Sequence, residues 1–166
     1  MPAKRVILMA GVAVALLAIG IAIALRANRP SHIEITGRIQ KVRTQALDEN
    51  GTAVFIDLRM TNPSKHNFIV RDVLVTLDTA KGDTVTGATA ADADVDRLFE
   101  FFPAAGPRYN PTFKTGDRVG PGESFDRMVT ARIDLPEADV RRRRGLTVRF
   151  TDVDAIRSEI AESEER

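Results

Sequence analysis

The stretch FDRMVTARIDL, residues 125 to 135, decides how the chain is read. Phe125, Val129, Ala131, Ile133 and Leu135 fall on one parity, and Asp126, Thr130, Arg132 and Asp134 on the other. Successive side chains of an extended strand point to opposite faces, so this alternation describes a strand with one buried and one wet face. An amphipathic helix would place its apolar residues three and four apart instead.

The same period recurs outward from this stretch. Ile33, Ile35 and Ile39 alternate with Glu34, Thr36 and Arg38; Val54, Ile56, Leu58 and Met60 with Asp57 and Arg59; Leu146, Val148 and Phe150 with Thr147, Arg149 and Thr151. NFIVRDVLVTLD, residues 67 to 78, is apolar on both parities. It is either a central strand covered on both faces or one carrying a bulge near Arg71 and Asp72. Weaker strands fit around Val85 and Phe113. Turn-forming groups separate them: Asp48 to Gly51, Asn62-Pro63-Ser64, Lys81-Gly82-Asp83, Thr115-Gly116-Asp117 and Gly120-Pro121-Gly122. The expected fold is mainly β, an immunoglobulin-like antiparallel β-sandwich of about seven strands over residues 33–154.

Ahead of it lies VILMAGVAVALLAIGIAIAL, residues 6 to 25, twenty consecutive residues without a charge. At about 1.5 Å per residue it matches the roughly 30 Å core of a bilayer. Residues 1–25 are therefore expected to be a short cytoplasmic N-terminus and a single transmembrane anchor in the lipid bilayer, with 26–32 as a tether. Lys4-Arg5 and the small-x-small step Ala22-Ile23-Ala24 also suit a cleaved signal peptide, but such cores run only about 7 to 15 apolar residues. Arg26, Arg29, Arg38, Lys41 and Arg43 after the span oppose a cytoplasmic N-terminus. The later ones belong to the first strand, and a short leading segment normally stays inside. Gly11, Ala15, Ala18 and Ala22 form a small-residue seam that would let helices approach. So alanine-rich a segment produces such a seam by composition, and self-association is the secondary reading.

RMTNPS closing one strand, FIVRDVLVTLD as the next, and GPGESFDRMVTARIDLPE before the last resemble the immunoglobulin-like extracytoplasmic domains of bacterial membrane proteins. The Asn62-Pro63 step is also similar to the Asn-Pro of water-stress (WHy-type) late-embryogenesis-abundant domains. The resemblance covers about residues 33 to 153 and implies a fold and an address, the bacterial inner membrane with the domain facing the periplasm or exterior. It supplies no catalytic residues. Residues 88 to 113 depart from a minimal sandwich of this kind.

That departure contains ADADVDRLFEFFP, residues 91 to 103. Taken as a calcium loop, Asp92, Asp94 and Asp96 would be ligands, but Arg97 stands where glycine is needed and Pro103 where glutamate is. Taken as a helix, Val95, Leu98, Phe99 and Phe102 make one apolar stripe opposite Arg97 and Glu100. Aspartates favour its first turn and Pro103 stops it. The segment is expected to be a short amphipathic helix inserted on the sandwich.

Phe101 lies off that stripe and is followed by AAGPRYNPTF; residues 99 to 113 hold five of the chain's nine aromatics. An exposed Phe101 beside Tyr109, on a loop stiffened by Pro107 and Pro111, is a candidate partner-binding site. The rival reading is that these rings close one end of the core.

PEADVRRRRG, residues 136 to 145, is a capped helical turn in its local grammar, with Pro136 and acids first, arginines last and Gly145 as cap. A net charge of +1 gives no reason to expect nucleic acid. Without cysteine there are no disulfides, thiolate chemistry or Cys-zinc sites. The two histidines, His32 and His66, have no partners at catalytic or metal spacing; Ser64 beside His66 lacks a third, orienting group. No cofactor, metal or catalytic residue is expected. Residues 155–166 read as a weakly helical, solvated acidic tail. The expected function is to bind or scaffold an envelope protein, ahead of a WHy-like protective role or a hydrolase.

Overall fold

The chain divides into two units, Met1–Ser31 and His32–Arg166. A computed structural model describes residues 34–162 and, outside them, only Ala18. The expectations for the apolar span, its orientation and cleavage, the small-residue seam, the tether and His32 lie outside the described residues, as do residues 163–166. No helix among the described residues is long and apolar enough to cross a membrane.

From residue 34 to 162 eight strands, two short helices and a 3-10 turn follow one another: β1 (Thr36–Asp48), β2 (Gly51–Thr61), β3 (Phe68–Asp78), β4 (Thr84–Thr89), α1 (Asp92–Phe101), the turn Pro103–Ala105, β5 (Arg118–Val119), β6 (Ser124–Ile133), α2 (Glu137–Arg141), β7 (Gly145–Asp152) and β8 (Arg157–Ala161). All strand pairs are antiparallel, in the order β1-β2-β6-β4-β3-β7-β8, with β5 on β3.

β4 turns this path into a sandwich. Val85 and Gly87 pair with β3, while Ala88 and Thr89 pair with β6, so the strand changes partners in mid-course. Gly87 sits at the change, and a Cβ there would stand 2.6 Å from Ile133 Cδ1 and 3.2 Å from the Arg132 carbonyl. At the far ends β1 and β8 meet, where the Ile35 amide donates to Ser158 Oγ at 2.9 Å.

The core fills the space between. Val54, Ile56, Leu58 and Met60 of β2 and Val129, Ala131 and Ile133 of β6 oppose Val75 and Leu77 of β3, Leu146, Val148 and Phe150 of β7, and Ile160 of β8. The alternating parities named from the sequence are thus the inward ones, and each fully buried member contributes about 1.5–3 kcal/mol of transfer free energy.

β3 is both central and bulged. Its pairing with β7 shifts between Val70 and Asp72, leaving Arg71 as the extra residue. Buried Phe68 and Val70 lie on even numbers before the bulge, Val75 and Leu77 on odd numbers after it. One inserted residue therefore explains a strand apolar on both parities. β1 does the same between Ile39 and Lys41. Ile39 and Val42 both pack on the core, and Lys41 and Arg43 pass to the outer face.

Three expectations need correction. Phe113 is in no strand: its neighbour Thr112 makes an isolated bridge to Met128, and the short strand is Arg118–Val119. Residues 157–161 are not a weakly helical tail but β8, paired along β7 from Arg157 to Ala161. Gly145 does not cap α2, which ends at Arg141 with Arg142 as its cap; Gly145 opens β7 opposite Asp78.

Candidate functional site

α1 lies on the outer face of β1-β2-β6. Val95 is buried there with Ala53, Phe55, Ala105 and Met128, and Leu98, Phe99 and Phe102 pack at the margin. The stripe expected from the sequence faces the sheet, with Phe99 tilted on Phe55 at 4.8 Å between centroids. Asp92 and Asp94 occupy the first turn, and the Phe102 amide closes the last turn on the Leu98 carbonyl before Pro103. This second layer buries β2 on both faces, so Asp57 is enclosed rather than solvated.

Asp57 is neutralised by Arg43 across the strand pair. Arg43 Nη2 donates to Asp57 Oδ2 at 3.1 Å, and Asn110 Nδ2 donates to the other oxygen at 2.9 Å. Arg43 Nη1 donates to the carbonyls of Ala105 and Pro107, both at 2.9 Å. The guanidinium carbon lies 5.0 Å from the Tyr109 ring, 5.4 Å from Phe99 and 5.6 Å from Phe55, within cation–π range. Buried Arg43 Nε has no partner among the described residues. Desolvation of such a pair is costly unless its hydrogen-bonding groups are satisfied, and the loop carbonyls and Asn110 meet most of that need.

The same loop is held from its other side by Arg108. Its guanidinium donates to Asp92 at 2.6 Å, to Thr112 Oγ1 at 2.9 Å, and to Asp96. Lys114 Nζ stands 2.7 Å from the second oxygen of Asp92. Hydrogen bonds from Lys114 and then Arg108 hold the Asp92 carboxyl down to about 2. The loop ends by pairing with β6, where the Met128 amide donates to the Pro111 carbonyl at 2.9 Å.

Residues 106–112 are therefore a clamped platform. Tyr109 projects from it 57% exposed, and Phe101 projects from α1 77% exposed. Pro107 and Pro111 are exposed beside Tyr109, whose ring also faces Lys41 Nζ at 5.0 Å. The four residues named from sequence all lie on this helix-and-loop segment; the two rings are not stacked on each other. Sequence reasoning did not single out Arg43, Asp57, Arg108 or Asn110. The available signal was AVFI, residues 53 to 56: four consecutive apolar residues mark a strand covered on both faces.

The remaining motifs have structural employment. Asp94 pairs with Arg97, and Asp92 and Asp96 with Arg108; among the described residues no acidic or histidine cluster is placed to hold a metal. Asn62 is buried, its amide donating to the His66 and Val119 carbonyls, both at 2.8 Å, while Oδ1 accepts from the Ser64 amide at 3.0 Å. Ser64 Oγ contacts only the main chain of His66, at 3.0 and 3.2 Å. In the arginine run, Arg141 pairs with Glu137, Arg142 with Asp139 and Arg143 with Glu162. The Thr44 hydroxyl and then Arg141 lower the pKa of Glu137.

No family model matches the chain, and no curated protein does. Two solved structures are similar to it. An uncharacterised β-sandwich protein from Clostridium difficile 630 is 13% identical over 79% of this chain and 81% of its own, with a TM-score of 0.33. The archaellum periplasmic stator protein FlaG from Sulfolobus acidocaldarius is 11% identical over 76% of this chain and 98% of its own, with a TM-score of 0.28. Neither superposition is close enough to transfer a role.

Proposed function

We propose that the chain is a single-pass membrane protein that displays a non-catalytic, immunoglobulin-like sandwich outside the cytoplasm and uses the α1 and 106–112 face to bind a partner protein of the cell envelope. Tyr109 carries this reading. A large ring left more than half exposed is ordinary on a mobile loop, but here Arg43 grips the loop's carbonyls and Arg108 ties it to α1. A pre-ordered aromatic loses little freedom on binding, so most of its contact energy is kept as affinity. Phe101 adds a second apolar anchor on a helix already fixed by its opposite face.

The uncharged run of residues 6 to 25 supports the membrane anchor. Ser64, which shares a turn with His66, spends its hydrogen bonds on main chain, which favours binding over hydrolysis. The Asn62-Pro63 step serves a turn, and so lends the WHy-like reading no separate support. Protease added to intact cells, then to cells with a breached outer layer, tests the address. The domain is expected to be cut once the envelope, but not the inner membrane, is opened. Protection until the inner membrane is breached would refute this orientation.

A further inference from the structure

Beside Tyr109 the outer edge of β1 borders a cleft of about 410 Å³, lined also by Ala104, Ala105, Arg141 and Arg143. Among the described residues β1 ends the sheet and pairs only with β2. In an antiparallel pair, alternate residues turn their amide and carbonyl away from the partner strand. At Ala46 those outward groups are capped: the Glu137 carboxylate takes the amide, and Gln45 Nε2 donates to the carbonyl at 3.0 Å. The register runs unbroken from Val42 to Ala46, so Val42 and Thr44 turn the same way. Both line the cleft, and among the described residues neither has a main-chain bond outside the β1-β2 ladder. An edge capped at Ala46 but open at Val42 and Thr44 accepts an added strand there.

The charge around this bare edge selects the occupant. Lys41 is exposed, its ammonium 5.0 Å from the Tyr109 ring; no carboxylate pairs with it among the described residues. Arg141 keeps 66% of its side chain exposed even with Glu137 beside it. A second copy of β1 would bring like charges together across the new pair, which is destabilising. We propose that the Val42–Thr44 edge takes a short extended acidic peptide segment of the partner by strand addition, its carboxylates meeting Lys41 and Arg141. This deepens, and rests on, the partner-binding reading, because Lys41 joins the edge cleft to the Tyr109 face.

The test uses the full-length chain in a mild nonionic detergent and fluorescence anisotropy with a labelled peptide of alternating glutamate and valine. That peptide is expected to bind saturably. Lys41→Glu with Arg141→Gln should weaken it about tenfold or more, as should methylating its alternate backbone amides. No binding, equal binding of a lysine–valine peptide, or indifference to backbone methylation would each overturn strand addition. So would a dimer of the free chain that Lys41→Glu dissociates, since the edge would then belong to a second copy. If the Lys41→Glu chain still crosslinks in native membranes to a partner that Tyr109→Ala loses, this inference fails and the partner-binding reading stands. If both variants keep every crosslink, both fail.

Discussion

Arg43 and Asp57 meet at 3.1 Å beneath α1, their side chains 10% and 4% exposed, at a place where one bulged residue in β1 has turned Arg43 out of the sandwich core. The pair joins the β1-β2 ladder to two neighbouring elements far from it in sequence, the 3-10 turn and the Tyr109 loop.

Asp57→Ala leaves Arg43 charged and enclosed, and frees Asn110 as well. It is expected to cost about 3–5 kcal/mol in urea unfolding, as the loss of one partner from a buried pair does. Replacing both, Arg43→Met with Asp57→Leu, should cost far less than the two single changes added together. Additive losses would mean that the pair is not the joint described here.

Asp92 gives a pH signature. Its folded pKa, about 2, lies below the ordinary aspartate value of 3.8, so the ionised form is the one that folding favours. That stabilisation is present above about pH 4 and is lost as pH falls toward 2. Thermal unfolding of Asp92→Asn should therefore start from a lower Tm than the native chain at pH 6 and converge with it near pH 2. Parallel curves across that range would dissociate Asp92 from Arg108 and Lys114.

Calcium should leave the melting temperature unchanged, because Asp92, Asp94 and Asp96 already answer to Lys114, Arg97 and Arg108. Asp94→Ala removes only an exposed pair and should cost well under about 1 kcal/mol. A calcium-dependent rise of several degrees, abolished by Asp94→Ala, would restore the metal-loop reading.

Gly87→Ala tests the partner switch in β4. The new methyl meets Ile133 Cδ1 at 2.6 Å, Ala131 Cβ at 3.1 Å and the Arg132 carbonyl at 3.2 Å. Overpacking of this kind typically costs about 1–3 kcal/mol, measurable as a lower urea midpoint. No change would place Gly87 away from the crossing.

The sandwich was legible because its inward residues alternate cleanly, as in β6, and because Gly and Asn-Pro turns separate most strands. β8 was hidden by its turn: the chain reverses through Val153, Asp154 and Ala155 without glycine, and Ala155 itself takes φ 64°. An acidic run after such a segment looks like a tail, although Ser158 and Ile160 are buried. The helix stripe was visible from spacing, and so was the exposure of Phe101. The clamp was not, because Arg43, Asp57 and Arg108 come together only through a bulge in β1 and a second layer on β2. Read in its own strand, Asp57 looks like any polar residue on an alternating face.

Presentation of Tyr109 and Phe101 to an envelope partner is tested most directly by crosslinking in native membranes with the full-length chain, its Tyr109→Ala and Phe101→Ser variants, and unfolding curves on each. Both substitutions change exposed rings and should shift stability by no more than about 1 kcal/mol. The predicted result is a discrete crosslinked complex with the native chain that both variants lose while remaining folded. Retention of that complex at full strength by both folded variants, or unfolding of the domain by either change, would contradict the account.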